Sequence, residues 1–438
     1  MLANTFRTLL GLSIGDAYGI HFEFMSQEDI ADSYLEKPQT SLGGGPFQFL
    51  PGDFSDDTEM ALLTLYSLMQ KRYVDTHHIK ALYTLWSYHA KDVGIQTQRA
   101  LQQGIIDPKG EGNGALMRIL PSIVYMHDVL HWDNEKIKNS VHAISSITHD
   151  SLNIHRINNF FVDLILGKNI LQHAHASLIV DLLRATGNNG WVINTARIVW
   201  FRLMERHLSL LDGMWKIISY GGDTDTACAI YGAIKAYKDP ESLQSLQLDV
   251  LLNRKSQKVL ETFLQTRLHY YQPDNQLFPT LFAGQYPGSK NAALHAIKLY
   301  DLEMLNIDCI VSLMEVSESK RFTPYQQTLM QRNPKIEFFN YPITDMSVPT
   351  KKQLYDIVHH IQTLLTSKKR VYIHCWGGHG RTGVVVGILL IYNGYTPQNA
   401  LAKIKEERMK TPFKEEPSPQ TDEQIEFILN TGECITNL

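Results

Sequence analysis

The run His374-Cys375-Trp376-Gly377-Gly378-His379-Gly380-Arg381-Thr382-Gly383 sets a thiol six residues before a guanidinium, with three glycines between them. That glycine content lets the backbone curl so that successive N–H groups point inward at an anion. Arg381 can clamp two phosphate oxygens with its planar fork. Positive surroundings of this kind favour the thiolate of Cys375, and therefore nucleophilic attack. Two acidic clusters offer different chemistry. Ser55, Asp56 and Asp57 stand together, as do Asp223, Asp225 and Thr226. A helix cap needs one acceptor, so capping explains only part of each set. Two such clusters face to face would repel unless something positive stood between them. Hard divalent cations take this oxygen donor set, so two Mg2+ (or Mn2+) ions are expected there. Neither cluster contains His or Cys, which argues against zinc.

These groups need elements to hold them. Val371-Tyr372-Ile373 is β-type, and Val384 to Tyr392 is apolar with no proline. The Cys375 loop therefore joins a strand to a helix, whose positive end completes the anion cradle. The Ser55 cluster opens an apolar helix over Met60 to Met69, and the Asp223 cluster opens another over Ala227 to Tyr237. Up to about Gln265 the apolar spacing is helical; Ile79, Leu82, Tyr83 and Trp86 share one face. The polar, proline-containing stretch Tyr270 to Gln276 reads as a linker. Beyond it, Ile307 to Leu313, Ile336 to Tyr341 and Val371 to Ile373 read as strands between helical segments. The expectation is an all-α domain over 1–268, a linker over 269–277, and an α/β domain with a largely parallel sheet over 278–438.

Charge is nearly balanced, with 41 basic and 45 acidic residues. That balance excludes a non-specific nucleic-acid binder. The four cysteines are scattered, without metal-ligand spacing, and a thiol nucleophile suits a reducing compartment. The first residues do not read as a signal peptide, and the longest apolar run is far too short to span a bilayer. A cytoplasmic location away from membranes is expected.

The Cys-x5-Arg loop, with His374 before it and Thr382 after it, resembles the signature of the cysteine-dependent tyrosine and dual-specificity phosphatases. Phe282 to Gly288 resembles the first strand and turn of that fold. Tyr341 to Pro349 resembles its general-acid loop, which implies Asp345 as proton donor. Gln420 to Gln424 resembles the segment that orients the hydrolytic water, with Gln420 the better match and Gln424 the second. The resemblance implies Cys375 as nucleophile, with Arg381 and the amides of Trp376, Gly377, Gly378, His379 and Gly380 binding phosphate. Thr382 would support the departing thiolate, and no cofactor would be needed.

The first domain resembles the ADP-ribosylglycohydrolases, the family of dinitrogenase-reductase-activating glycohydrolase. The matching motifs are Gly11 to Gly19 with Glu23-Phe24-Met25, Ser55 to Thr58, Gly112 to Arg118 with Pro121, and Gly221 to Thr226, in the family's order. The resemblance implies Ser55, Asp56, Asp57, Asp223, Asp225 and Thr226 as metal ligands, and Glu23 as an acidic residue near the scissile bond. It implies Gly112, Asn113 and Gly114 as the lining of an ADP-ribose cleft. The expected substrates are an ADP-ribosylated molecule and a phosphorylated protein or small molecule. A bifunctional hydrolase and a phosphatase recruited by a non-hydrolysing ADP-ribose-binding domain both remain open.

Overall fold

Glycines at four-residue spacing decide how the first helix packs. In the computed structural model, which describes residues 2–170, 175–244, 246–412 and 414–435, the chain forms two units, Met1–Gln265 and Thr266–Leu438. Three helices of the first unit meet at the acidic residues: α1 (Leu2–Gly19), α2 (Asp56–Lys71) and α3 (Thr224–Lys238). Gly11, Gly15 and Gly19 lie on one side of α1. A Cβ on Gly15 would stand 2.1 Å from the Cys228 carbonyl oxygen, and one on Gly11 2.3 Å from that of Gly232. The α1 and α3 backbones therefore touch, which brings Asp16 close to the start of α3. Gly15→Ala should cost about 3 kcal/mol, because backbone rather than a yielding side chain blocks the methyl. A thermal melt with an unchanged midpoint would contradict that contact.

Helix α2 is buried nearly all round from Asp56 to Leu68, as its continuous apolar run requires. Further helices, including Thr76–Ser87, Leu120–Asp128, Asn134–Ser145, Leu152–Ile165 and Val192–Met204, complete an all-α unit among the described residues.

The second unit is built on a five-stranded sheet: β1 (Tyr270–Tyr271), β2 (Leu281–Gly284), β3 (Cys309–Ser312), β4 (Glu337–Asn340) and β5 (Val371–His374), in the order β1-β2-β5-β3-β4. Only β1 runs antiparallel. The sheet is mixed, and β1 lies inside the 269–277 stretch expected as a linker. Two residues are too few to show alternation, and the polar residues after them masked the strand. Fully buried β5 sits mid-sheet, pairing with β2 and β3, and it ends at His374. Helices α4 (Ala292–Met304), α5 (Lys351–Thr366), α6 (Gly380–Tyr392), α7 (Pro397–Arg408) and α8 (Asp422–Ile435), with the short helices Val316–Ser319 and Gln326–Arg332, pack with the sheet. The apolar core joins Ala283, Val311 and Ile373 to Ile357, Ile361, Val385, Leu389 and Ile404. No helix among the described residues is long and apolar enough to cross a membrane.

Candidate functional site

In the first unit, Asp16 is the hub. It is fully buried and accepts hydrogen bonds from the Ser55 amide (3.0 Å) and hydroxyl (2.9 Å), and from the Thr58 amide (3.1 Å) and hydroxyl (2.6 Å). These bonds pin the first turn of α2 against α1. Thr226 on α3 donates to Asp57 Oδ2 at 3.2 Å, as does the Ser55 hydroxyl at 3.3 Å. The two acidic clusters predicted from sequence therefore converge. Carboxylate oxygens of Asp16, Asp57 and Asp225 lie within 4.8 Å of one another, as do those of Glu23, Asp92 and Asp225. Asp56 and Asp223 stand outside these two groups: Asp56 accepts from the Gly94 backbone, and Asp223 Oδ2 from Asn113 Nδ2 at 2.8 Å. Asp16 and Asp92 were not singled out from sequence. Asp16 lies in the Gly11 to Gly19 motif, where it was given no role; Asp92 carried no signal.

The electrostatics are one-sided. Burial pushes Glu23 up to about 8, helped by Asp92, Asp223 and Asp16. Burial likewise pushes Asp92 to about 7 and Asp16 to about 6, and lifts Asp56, Asp57 and Asp225 well above the usual carboxylate range. The charges that raise these groups are all other carboxylates. Glu23 Oε2, Asp57 Oδ1 and Asp225 Oδ1 are buried without a hydrogen-bond partner. Orphaned buried carboxylate oxygens are costly, and this donor set fits hard divalent cations.

The segment Gly112 to Gly114 is tied to the acidic cluster through the Asn113–Asp223 hydrogen bond. Asn113 also donates to Thr195 Oγ1 at 3.0 Å, and Gly112 and Trp191 form an isolated antiparallel bridge. A Cβ on Gly114 would come within 3.1 Å of the His149 ring. Burial, then Arg118, lowers His149 to about 3, so its imidazole is neutral.

In the second unit, β5 delivers His374 and Cys375, and α6 begins at Gly380. The loop closes because Gly378 adopts φ +77°, where a Cβ would meet the Gly284 backbone at 2.4 Å. His374 Nδ1 lies 3.0 Å from the Cys375 carbonyl oxygen, so that nitrogen carries the proton and Nε2 accepts from Tyr325 OH at 2.7 Å. Burial lowers His374 to about 4. The His379 ring is engaged by Arg408 Nη2 and Glu416, while Arg408 Nη1 donates to the Gly378 carbonyl at 3.1 Å. That side chain supports the loop from outside. Trp376 is exposed, with its ring edge-on to Phe322.

Arg381 is 1 % exposed. Its Nη1 and Nη2 donate to the two Glu318 oxygens at 2.6 and 2.9 Å, and Nη2 pairs with Asp345 at 2.9 Å. Burial alone would lower both ionised partners' tendency to stay charged; their mutual attraction wins, holding Arg381 up and Glu318 below the usual carboxylate range. Arg381 Nε and the Thr382 hydroxyl are buried without partners. Gln420 and Gln424 flank Gly380. Gln424 is spent on structure: its oxygen accepts from the Gln420 amide, and its nitrogen donates to the Ser347 carbonyl at 3.0 Å. Gln420 is the exposed one. Sequence reasoning did not find Glu318, which lies 63 positions from Arg381. Glu318→Gln should lower phosphatase kcat/KM by about 10²-fold by letting the guanidinium drift; steady-state rates within twofold of the parent would contradict a positioning role.

Comparison with known proteins agrees with both halves. Residues 3–239 match the ADP-ribosylglycohydrolase family model, over half of the chain. The chain belongs to the ADP-ribosylglycohydrolase family. Residues 288–427 match the model for the DSP-PTPase phosphatase domain of Swiss Army Knife proteins, so this family member also carries a phosphatase-family domain. Its relatives include a mimivirus protein (Acanthamoeba polyphaga mimivirus) provisionally described as an ADP-ribosyl glycohydrolase, 23 % identical across 56 % of the chain and 89 % of the relative. The ADP-ribosyl-[dinitrogen reductase] glycohydrolase of Rhodospirillum rubrum is 37 % identical across 26 % of the chain and 41 % of its own length. A provisionally described tyrosine phosphatase of Invertebrate iridescent virus 6 is 32 % identical across 30 % and 45 %. The chain thus spans less than half the length of the latter two. Both domains belong to enzyme families.

Proposed function

We propose that the chain is a bifunctional hydrolase: a metal-dependent ADP-ribosyl hydrolase and a cysteine-dependent phosphatase. The observation that carries the first activity is the set of buried, unpartnered carboxylate oxygens on Glu23, Asp57 and Asp225 with no counter-charge among them. Ser55, Asp56, Asp57, Asp223, Asp225 and Thr226, joined by Asp16, would hold two Mg2+ or Mn2+ ions. Bound there, such ions supply a grip on ribose hydroxyls and a lowered pKa for water. Glu23 would orient an attacking water and, as a carboxylate, take its proton. Gly112 to Gly114 let ADP-ribose approach the backbone, and Asn113 steadies Asp223.

For the second activity, Cys375 attacks phosphorus, forming an S–P bond as the ester P–O bond breaks. Phosphate oxygens take the free Arg381 Nε and the Nη2 edge now held by Asp345. Asp345, released from that pair, acts in its protonated form and gives that proton to the leaving oxygen, becoming a carboxylate. Water positioned by Gln420 then attacks phosphorus, giving a proton to the Asp345 carboxylate as the S–P bond breaks, and the Thr382 hydroxyl supports the departing thiolate. The amides of Trp376 to Gly380 cradle the equatorial oxygens.

A non-hydrolysing ADP-ribose-binding domain would not need Glu23 beside a complete acidic cluster. Magnesium-dependent release of ADP-ribose by the intact chain tests the point, and binding without release would favour recruitment. The fusion also supports linked substrates, with one site acting on the other's product. Turnover at each site unaffected by the other's product would end that idea.

A further inference from the structure

Resting on the phosphatase reading, we propose that Trp376 sets the substrate class of the second site: its indole stacks on the base of a nucleotide whose phosphate enters the Cys375 loop. One short segment after β3 reaches both ends of that loop. There the chain makes consecutive helical turns: the Ser319 amide donates to the Glu315 carbonyl at 3.2 Å, the Arg321 amide to that of Glu318 at 3.0 Å, and the Phe322 amide to that of Ser319 at 3.1 Å. Residues four apart in such turns share a face, and Glu318 and Phe322 are such a pair.

That face meets the loop at two points. Glu318 grips Arg381, which ends the Cys-x5-Arg run, at 2.6 and 2.9 Å. The Phe322 ring lies edge-on to the ring of Trp376, the residue after Cys375, with centroids 5.6 Å apart. The phosphate-clamping guanidinium and the indole are therefore contacted from one face of one segment. Tyr286 braces both members of the aromatic pair. Its ring lies against Phe322, centroids 4.6 Å apart, and its amide donates to the Trp376 carbonyl at 2.8 Å. Even so braced, Trp376 is 46 % exposed, and its Cα stands about 3.8 Å from that of the nucleophile. An indole fixed beside the reacting thiol, with a large apolar face left in water, suits a flat group on the substrate.

Two kinds of flat group accompany phosphate esters. A phenol is bonded to phosphate through its own oxygen, so its ring stands directly over the bound phosphate. A nucleotide base is set one ribose away, which carries it sideways to a ring beside the loop. The ADP-ribose expected at the first site is itself a nucleotide. Both points favour a base, and stacking accepts any base, because each has a π-face.

The test follows phosphate release by the full chain, Trp376→Ala and Trp376→Phe from a nucleoside 5′-monophosphate, ribose 5-phosphate and a phosphotyrosine peptide. The parent's kcat/KM should be at least about tenfold higher for the nucleotide than for ribose 5-phosphate, the size of one base–aromatic stack. Trp376→Ala should lower that ratio about tenfold, chiefly through the nucleotide's KM, and Trp376→Phe should recover most of it, since a phenyl ring still stacks. In the parent alone, a phosphate-free nucleoside should inhibit release from a small aryl phosphate competitively, and free ribose at the same concentration should not. A parent without the nucleotide preference, a ratio unchanged in Trp376→Ala, or no inhibition by the nucleoside would overturn the inference. So would a parent that prefers the phosphotyrosine peptide to the nucleotide. A parent that releases phosphate from none of these esters, the aryl phosphate included, overturns the phosphatase reading with it.

Discussion

Replacing Cys375 by Ser should abolish phosphate release, by at least about 10⁴-fold, while leaving ADP-ribose release within twofold of the parent. The size follows from what the thiol does. In the proposed reaction it is the nucleophile, set in a loop whose glycines, Arg381 and helix end would bind the anion, so removing it would leave binding without a covalent path. The specificity follows from architecture. Cys375 stands at the end of β5 in the second unit, and the acidic cluster is built wholly from α1, α2, α3 and their neighbours in the first. Phosphate release with a chromogenic aryl phosphate, and ADP-ribose release in a parallel sample, check both parts. Loss of both activities would contradict independent sites.

Asp225→Ala should have the converse effect: metal-dependent ADP-ribose release falls by more than about 10²-fold, and phosphate release is unchanged. Altering a residue that merely supports a metal ligand costs 10- to 100-fold, and Asp225 belongs to both carboxylate groups of the site. A chelator should reproduce the loss in the parent. The same cluster makes metal stabilisation depend on pH. Without metal, Glu23, Asp92 and Asp16 bind protons more tightly when folded than when unfolded. The stability they contribute is complete below their unfolded values near pH 4, and it is lost as pH rises through about 6, 7 and 8. Cations that keep the carboxylates ionised remove this penalty and release protons. The gain in melting temperature from Mg2+ over chelator should therefore be small at pH 5 and grow towards pH 8. A gain that is flat or falling with pH would argue against metal in this cluster.

Legibility in the sequence followed the locality of each feature. The strand–loop–helix around Cys375 was readable because its motif occupies ten consecutive residues, and β5 and α6 could be inferred from the runs on either side. The acidic clusters were readable because each opens a strongly apolar helix, where more carboxylates than a cap needs stand out. Their convergence was not readable from periodicity; it depends on Gly11, Gly15 and Gly19 letting α1 meet α3 backbone to backbone. Asp16 looked like one polar residue in a buried helix, and only its four hydrogen bonds to Ser55 and Thr58 reveal it as the hub. Asp92 sits in a loop with no motif around it. Glu318 reaches Arg381 from the segment after β3, a tertiary contact that no local spacing encodes. Strand β1 was hidden for a simpler reason: two residues leave no period to detect.

The most direct measurement follows ADP-ribose and phosphate release together in the parent, Asp225→Ala and Cys375→Ser, each with Mg2+ and with chelator. The account predicts a double dissociation: Asp225→Ala or chelator removes only ADP-ribose release, and Cys375→Ser removes only phosphate release. ADP-ribose release that survives both chelation and Asp225→Ala, or phosphate release that survives Cys375→Ser, would contradict it.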